Sequence, residues 1–260
     1  MAPAFAYGCY WLLLDMVTSF IHRGGIMSAE ESLSRARDVV QAVVASHHDR
    51  PSLVSQIACE IGAEIIEGII PPGHDLNSME LSRRYATSRT PIREALMLLE
   101  KEGLVTIPPR RRPRVIVHDL AEMQEIYRMR CALLEFIAGY VVQNASEEAL
   151  QLLEDSVDGM GRAFETGDFN RFFWSNVEFH DRNTRISANR TVKRVIDSLL
   201  LRTLRLRRIS LGREGRLAAA LDDHRRLVKA YQDRDANLAA ALLRSTHISA
   251  LQRLESMIAE

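Results

Sequence analysis

The sequence predicts a mostly helical protein in two parts. A small N-terminal domain of three helices carries a two-stranded wing, and an all-helical bundle of six helices follows it. Three observations predict this. Turn-forming Pro and Gly punctuate residues 51–117 and then nearly vanish. From residue 119 on, apolar residues recur at helical spacing in long uninterrupted segments. Two short apolar or β-branched runs, 104–107 and 114–117, flank PPRRRP, as in a small β-hairpin. We place the boundaries at an extension of residues 1–50, a first domain over 51–117 and a second over 118–260.

Composition narrows the function classes. Lys+Arg 34 against Asp+Glu 34 leaves a formal net charge of +0, which excludes a polybasic protein and an acidic disordered tail. Cys9, Cys59 and Cys131 are too few and too scattered for a disulfide framework or a thiolate zinc site, so a reducing, cytoplasmic setting is expected. Residues 4–21, AFAYGCYWLLLDMVTSFI, form the one long apolar stretch. Asp15 within it opposes membrane insertion, and no Lys or Arg precedes it as a signal peptide requires. No membrane partner is expected. Met27 opens SAEESLSRARDVV, a soluble-looking start, and purine-rich codons can encode Arg23-Gly24-Gly25 where a bacterial ribosome-binding site would lie. We therefore read residues 1–26 as leader sequence preceding the true start.

Residues 32–46 form a short amphipathic arm, broken at His47-His48-Asp49-Arg50-Pro51. A helix over 52–68 ends at Gly68, and Pro71-Pro72-Gly73 makes a turn. A short helix over 78–85 follows. Ser88 caps another that reaches about residue 102, with Pro91 in its first turn, where the missing N–H costs little. In the bundle the helices are 119–144, 146–165, 168–186, 190–211, 213–232 and 235–258.

Charge is segregated within the first domain. Residues 51–82 hold no Lys or Arg and five acids, whereas residues 83–114 hold nine bases against three acids. A helix-turn-helix with a wing needs this: a recognition helix whose first residues reach base edges and a wing that grips phosphate. Arg89 and Arg93, four apart, share a face at the start of that helix and can donate bidentately to guanine. Ser88 and Thr90 can bond phosphate, and Arg110, Arg111 and Arg112 at the wing tip supply salt-sensitive affinity. The expected partner is a double-stranded DNA operator. On charge alone, a solvated basic face is an equal alternative.

The same residues resemble the DNA-binding domain of GntR-type bacterial transcription regulators. Ile70-Pro71-Pro72-Gly73, Leu81, Ser88-Arg89-Thr90-Pro91-Ile92-Arg93-Glu94-Ala95-Leu96 and Leu99-Glu100-Lys101-Glu102-Gly103-Leu104-Val105 follow in the family's order. Two positions depart from it. The wing tip reads Pro109-Arg110-Arg111-Arg112-Pro113, where the family usually has a glycine. Met79 stands where some members carry an arginine that touches DNA.

His180, His224 and His247 lie on three different bundle helices, and imidazoles converging from facing helices can make a metal site. Asn176-Val177-Glu178-Phe179-His180, Ser187-Ala188-Asn189 and His224 with Ala230, Asp235 and His247 resemble the FadR-type (FCD) ligand-binding domain of these regulators. The resemblance implies a divalent metal (Zn or Ni, or Mn) held by Asn176, His180, His224 and His247, beside a pocket for a small carboxylate effector. Arg130 fits the family's recurrent arginine, although Glu135 comes one place late; Arg205 and Arg208 are further effector candidates. Asn176 replaces the family's Asp and is a weaker ligand. The His224–His247 interval is one residue long, leaving Thr246 at the expected place, and one residue turns a helix face by about 100°.

The expected protein is a homodimeric, ligand-controlled repressor. Two alternatives compete: a DNA-binding protein whose bundle only dimerises, and a metal-dependent enzyme using the histidines. A di-metal bundle would need Glu-x-x-His pairs, which the chain lacks.

Overall fold

The computed structural model describes residues 26–45 and 52–259. The apolar stretch 4–21, the break at 47–51 and the proposed leader, apart from Ile26, lie outside the described residues. A division between Val117 and His118 separates two compact units. Among the described residues, no helix is long and apolar enough to cross a membrane.

The first unit begins with α1 (Ala29–Ala45). Ser28 and Glu31 start it by exchanging bonds: the Glu31 N–H donates to Ser28 Oγ (3.1 Å) and the Ser28 N–H to Glu31 Oε2 (2.8 Å). The arm expected from periodicity is thus a full helix. It packs along α2 (Leu53–Glu67) through buried Ala36, Val40, Val43 and Val44. Ser52 and Ser55 cap α2 reciprocally, and Gly68 ends it at φ 81. Gly62 sits where α1, α2 and the later helix α4 (Arg89–Lys101) meet: a Cβ there would stand 3.0 Å from Val40 Cγ1 and 3.1 Å from Leu99 Cδ2. Gly62→Val should therefore cost about 1–3 kcal/mol by overpacking, read as a lower denaturant midpoint, and an unchanged midpoint would refute this packing.

The short α3 (Ser78–Arg84) is held to α2 by a two-pronged ion pair of Arg84 with buried Glu64. It ends in a left-handed turn at Ala86, where the Thr87 N–H donates to Ser82 O (3.0 Å) and the Ala86 N–H to Arg83 O (3.3 Å). That turn aims α4 (Arg89–Lys101), whose buried stripe of Ile92, Ala95, Leu96 and Leu99 faces the core. The wing strands β1 (Val105–Thr106) and β2 (Arg114–Val115) pair antiparallel, Val105 with Val115 and Thr106 with Arg114. They are shorter than the expected 104–107 and 114–117. Pro108 has no N–H to extend the ladder, and the Ile107 N–H turns instead to Glu100 Oε1 (2.7 Å). Residues 73–76 bind the far edge of β2: the Gly73 N–H donates to Val115 O, and the Val115 N–H to His74 O.

The second unit is helical throughout its described residues: α5 (Leu120–Asn144), α6 (Glu147–Glu165), α7 (Phe169–Ile186), α8 (Arg190–Ser198), α9 (Leu200–Leu211), α10 (Arg216–Gln232) and α11 (Ala236–Ala259). The segment expected as one helix over 190–211 is interrupted at Leu199, where the Leu199 N–H reaches only to Ile196 O and tightens the turn. Helices α5 and α11 pair, as do α6 and α7, and α10 packs on both α6 and α11. Every residue of α7 from Phe172 to His180 is buried, so this helix is enclosed on all sides. Met123, Tyr127, Leu206, Leu251 and Leu254 form a core cluster joining α5, α9 and α11.

Candidate nucleic-acid interface and a buried histidine–arginine cavity

The residues expected to contact DNA are exposed at the start of α4. Ser88, Arg89, Thr90 and Arg93 are all exposed there, whereas Ile92, Leu96 and Leu99 are buried. Ser88 occupies the N-cap position in extended backbone, yet its side chain makes no capping bond. Its hydroxyl is therefore not committed to its own helix, and a phosphate oxygen can take it. Met79 is half exposed at the start of α3, apolar where a basic side chain would reach a backbone.

At the wing tip Arg110, Arg111 and Arg112 are exposed. The Arg111 N–H donates to Pro108 O (3.2 Å), and Arg110 has φ 61. Proline at the second position and positive φ at the third describe a type II turn, which normally wants glycine at the third. Arg110 holds the conformation of the missing family glycine, at a local cost of about 1–2 kcal/mol, and gains a cation there. The side chain replaces the close backbone approach that glycine would permit.

In the second unit the structure brings together Asn176 and His180 from α7, His224 from α10 and His247 from α11. The His180 ring centre lies 5.2 Å from those of both His224 and His247. His224 Nδ1 lies 2.6 Å from Ala220 O and His247 Nδ1 lies 2.8 Å from Leu243 O. Each therefore donates to its own helix backbone and leaves Nε2 as an acceptor. His224 Nε2 stands 3.2 Å from Asn176 Nδ2 and 3.3 Å from His180 Nε2. Burial holds all three imidazoles below the ordinary range, His224 at about 4, His247 at about 3 and His180 well down; neighbouring Arg207 adds to this in each case. The α10–α11 connection settles the phase of His247. Arg234 adopts φ 59, and Asp235 accepts the Leu238 N–H (2.9 Å) to start α11. Both Thr246 and His247 then line the cavity.

The arginines differ from expectation. Arg130, Arg205 and Arg208 do not line this cavity. Arg208 stacks over Phe169 and Phe173 and bonds Asn170, and Arg205 lies outside the lining. Arg207 takes the place expected of them: it is buried, its Nη2 donates to Asn176 Oδ1 (2.8 Å) and to Asn176 O (3.3 Å), and it lines the cavity with Tyr127, Ser210 and Arg216. Helical phase alone does not single it out: Arg207 follows buried Thr203 by four and precedes buried Ser210 by three, but Arg208 follows buried Leu204 by four and precedes buried Leu211 by three. Arg130 is 1 % exposed, and its Nε and Nη1 find no hydrogen-bond partner among the described residues. Burial lowers the pKa of Arg207 to about 9 and that of Arg130 as well, and the Arg130 charge further lowers Arg207. The cavity measures about 30 Å³, room for about one or two waters.

The residues fit a divalent metal poorly. Three imidazoles suit Zn or Ni, but the lining contains no carboxylate. Asn176 Oδ1, its one ligating atom, is held by a guanidinium, and turning the amide would set its NH₂ against that cation. Arg207, Arg130 and Arg216 already bring positive charge, and among them only Arg216 has an acid in ion-pair contact among the described residues, Asp223 at 3.6 Å. Among the described residues, no group of three His, Cys, Asp or Glu side chains stands in metal-holding geometry. The expected set of Asn176, His180, His224 and His247 is gathered in space, but its surroundings favour an anion over a dication.

Comparison with known proteins gives a consistent picture. Residues 53–115 match the bacterial regulatory proteins of the gntR family, and residues 125–250 match the FCD domain. The chain is 28% identical over 208 residues to the gluconate operon transcriptional repressor of Bacillus licheniformis, covering 76% of this chain and 82% of that one. It is 27% identical over 172 residues to the transcriptional repressor RspR of Escherichia coli (strain K12), covering 66% and 75%. The fold is like that of E. coli McbR/YncC, with a TM-score of 0.67 at 20% identity over 80% of this chain and 100% of the other. With both halves matched in order by models of regulators, and with a winged helix-turn-helix followed by a helical bundle, the chain is a GntR-family transcriptional regulator with an FCD domain, a DNA-binding protein and not an enzyme.

Proposed function

We propose that this regulator is a FadR-like, cytoplasmic homodimer that represses transcription and releases its operator when a small carboxylate enters the helical unit. The observation that carries the effector half is Arg130: a fully buried guanidinium with two unpartnered donors, whose charge acts on Arg207, His180 and His247 of the cavity lining. A carboxylate matches that planar fork. The operator half is supported by Ser88, Arg89, Thr90 and Arg93, exposed at the start of α4, and by the arginine wing. Repression is supported by the two relatives that are themselves named repressors, one of them of a gluconate operon, gluconate being a small carboxylate. Dimerisation is supported by Met129, Phe136 and Tyr140, exposed apolar side chains at helical spacing along α5.

The test begins with duplexes selected from a random pool by the protein. The selected sites should be two-fold symmetric, as paired winged helices require. Small carboxylates added to the complex should then release the DNA, measured by fluorescence anisotropy. Asymmetric sites would end the dimer reading, and release by none of a broad carboxylate series would end the effector reading. The wing has its own signature. Replacing Arg110, Arg111 and Arg112 together with Ala should flatten the dependence of log K on log salt by about 0.9 for each phosphate that is no longer neutralised, while leaving base preference unchanged.

A further inference from the structure

We propose that the helical unit binds its carboxylate effector without a metal, through the guanidinium groups of Arg207 and Arg130, and that neutral Asn176 is what leaves Arg207 free to do so. This rests on the effector reading above and specifies its chemistry.

Arg207 is buried, and its hydrogen-bond partners, Asn176 O and Oδ1, are both uncharged. The amide orients the guanidinium without cancelling its charge. A carboxylate at position 176, 2.8 Å from Arg207 Nη2, would pair with it and consume that charge. Arg130 has no acid in ion-pair contact among the described residues, and its Nε and Nη1 are unpartnered. Two buried guanidinium groups without a paired counter-charge are expensive to keep, and their mutual repulsion adds to the cost. An anion that enters the cavity meets Arg207 directly, and the side-chain movement that admits it must also uncover Arg130, which stands outside the lining but acts electrostatically on Arg207. His224 and His247, holding their Nδ1 protons on the backbone, face the site as neutral groups and add no competing negative charge. The volume of about 30 Å³ is too small for a carboxylate effector. Binding must therefore part the side chains of α5, α7, α9, α10 and α11 that enclose the cavity, and this supplies the differential contact a ligand-driven change of state requires.

The metal and guanidinium readings predict opposite signs for one isosteric substitution. Full-length protein without a histidine tag is titrated calorimetrically with acetate, malonate and citrate, with and without the neutral chelator 1,10-phenanthroline, and its metal content is measured. At least one anion should bind, chelator should not change its affinity, and the protein should contain no stoichiometric metal. Asn176→Asp should weaken anion binding by about tenfold or more through the new pair with Arg207, and Arg207→Met by about 30-fold or more. The proposal is overturned if chelation abolishes binding, if Asn176→Asp binds the anion more tightly while taking up a metal, or if none of the three anions binds. Should Arg207→Met fail to fold, the sign of the Asn176→Asp effect still decides. Operator release is measured separately. Anion binding with this pattern that leaves DNA binding unchanged keeps the arginine anchor and removes the effector reading.

Discussion

Arg93→Ala is expected to lose selective operator binding while keeping the fold and most of the non-specific affinity. Arg93 is exposed on α4, one turn along from Arg89, and its neighbour Ile92 is buried in the core stripe. Truncating it therefore removes no packing. A bidentate arginine–guanine contact discriminates by about 1–3 kcal/mol. Two symmetric half-sites double this, so the selected operator should be bound roughly 30-fold to 10⁴-fold more weakly. Random-sequence DNA, gripped by the wing arginines and helix-end hydroxyls, should change little. Competition between selected and random duplexes at one salt concentration measures the ratio directly. If Arg93→Ala retains its selectivity, α4 does not read bases through this side chain. Arg89→Ala tested alongside would show whether the two share one base step or read different ones.

A steep loss of stability in mild acid is the second large expectation. In the unfolded chain each histidine takes up a proton near pH 6.5. Folded, His224 resists protonation until about 4, His247 until about 3 and His180 to a value well below the ordinary one, chiefly because burial penalises the imidazolium. Positive Arg207 faces all three, Arg130 faces His180 and His247, and Arg216 faces His224, with Asp223 the one acid acting on His224. Below pH 6.5 the unfolded state thus binds more protons than the folded state, so stability rises with pH up to about neutrality and levels off above it. Between pH 7 and pH 5 each imidazole should cost on the order of 1–2 kcal/mol. Urea unfolding of the full chain in carboxylate-free buffer should show this slope, and His247→Gln should remove about one proton's share of it. A flat profile over that range would mean that the three histidines are solvated in the folded protein.

Much of this was legible in the chain itself. The order of turn, short helix, longer helix and wing was readable from Pro72-Gly73, Ser88, Gly103 and the PPRRRP turn, because local backbone preferences set where helices start and stop. Thr90 and Arg93 were readable as outward for a similar reason, from their spacing to the buried Ile92 and Leu96; Arg89 shares the phase of those two residues, and its exposure at the first position of α4 was decided by the fold. Three features were harder. The arm before residue 46 read as separate, but it packs on α2 at Gly62, a contact between residues far apart in sequence. The break at Leu199 has no Pro or Gly to announce it. Arg205, Arg207 and Arg208 are chemically identical, and α9 is buried on more than one side, with Leu201, Leu204 and Leu211 on one and Thr203 and Ser210 on another, so spacing alone does not choose among them.

By itself the sequence determined the class of protein, the order of its elements and the histidines that would converge. These depend on short-range periodicity, caps and charge runs, which a linear chain displays. Only the tertiary structure decided what the convergence means chemically. Whether Asn176 offers its oxygen to a metal or to Arg207, and whether Arg130 ends on the surface or in the core, depends on helices α5, α7 and α9 meeting. In a dry interior the sign of the nearest charge outweighs the identity of the donor atoms. The four residues expected as a metal set line one cavity in the folded protein, with Asn176 Oδ1 accepting from Arg207.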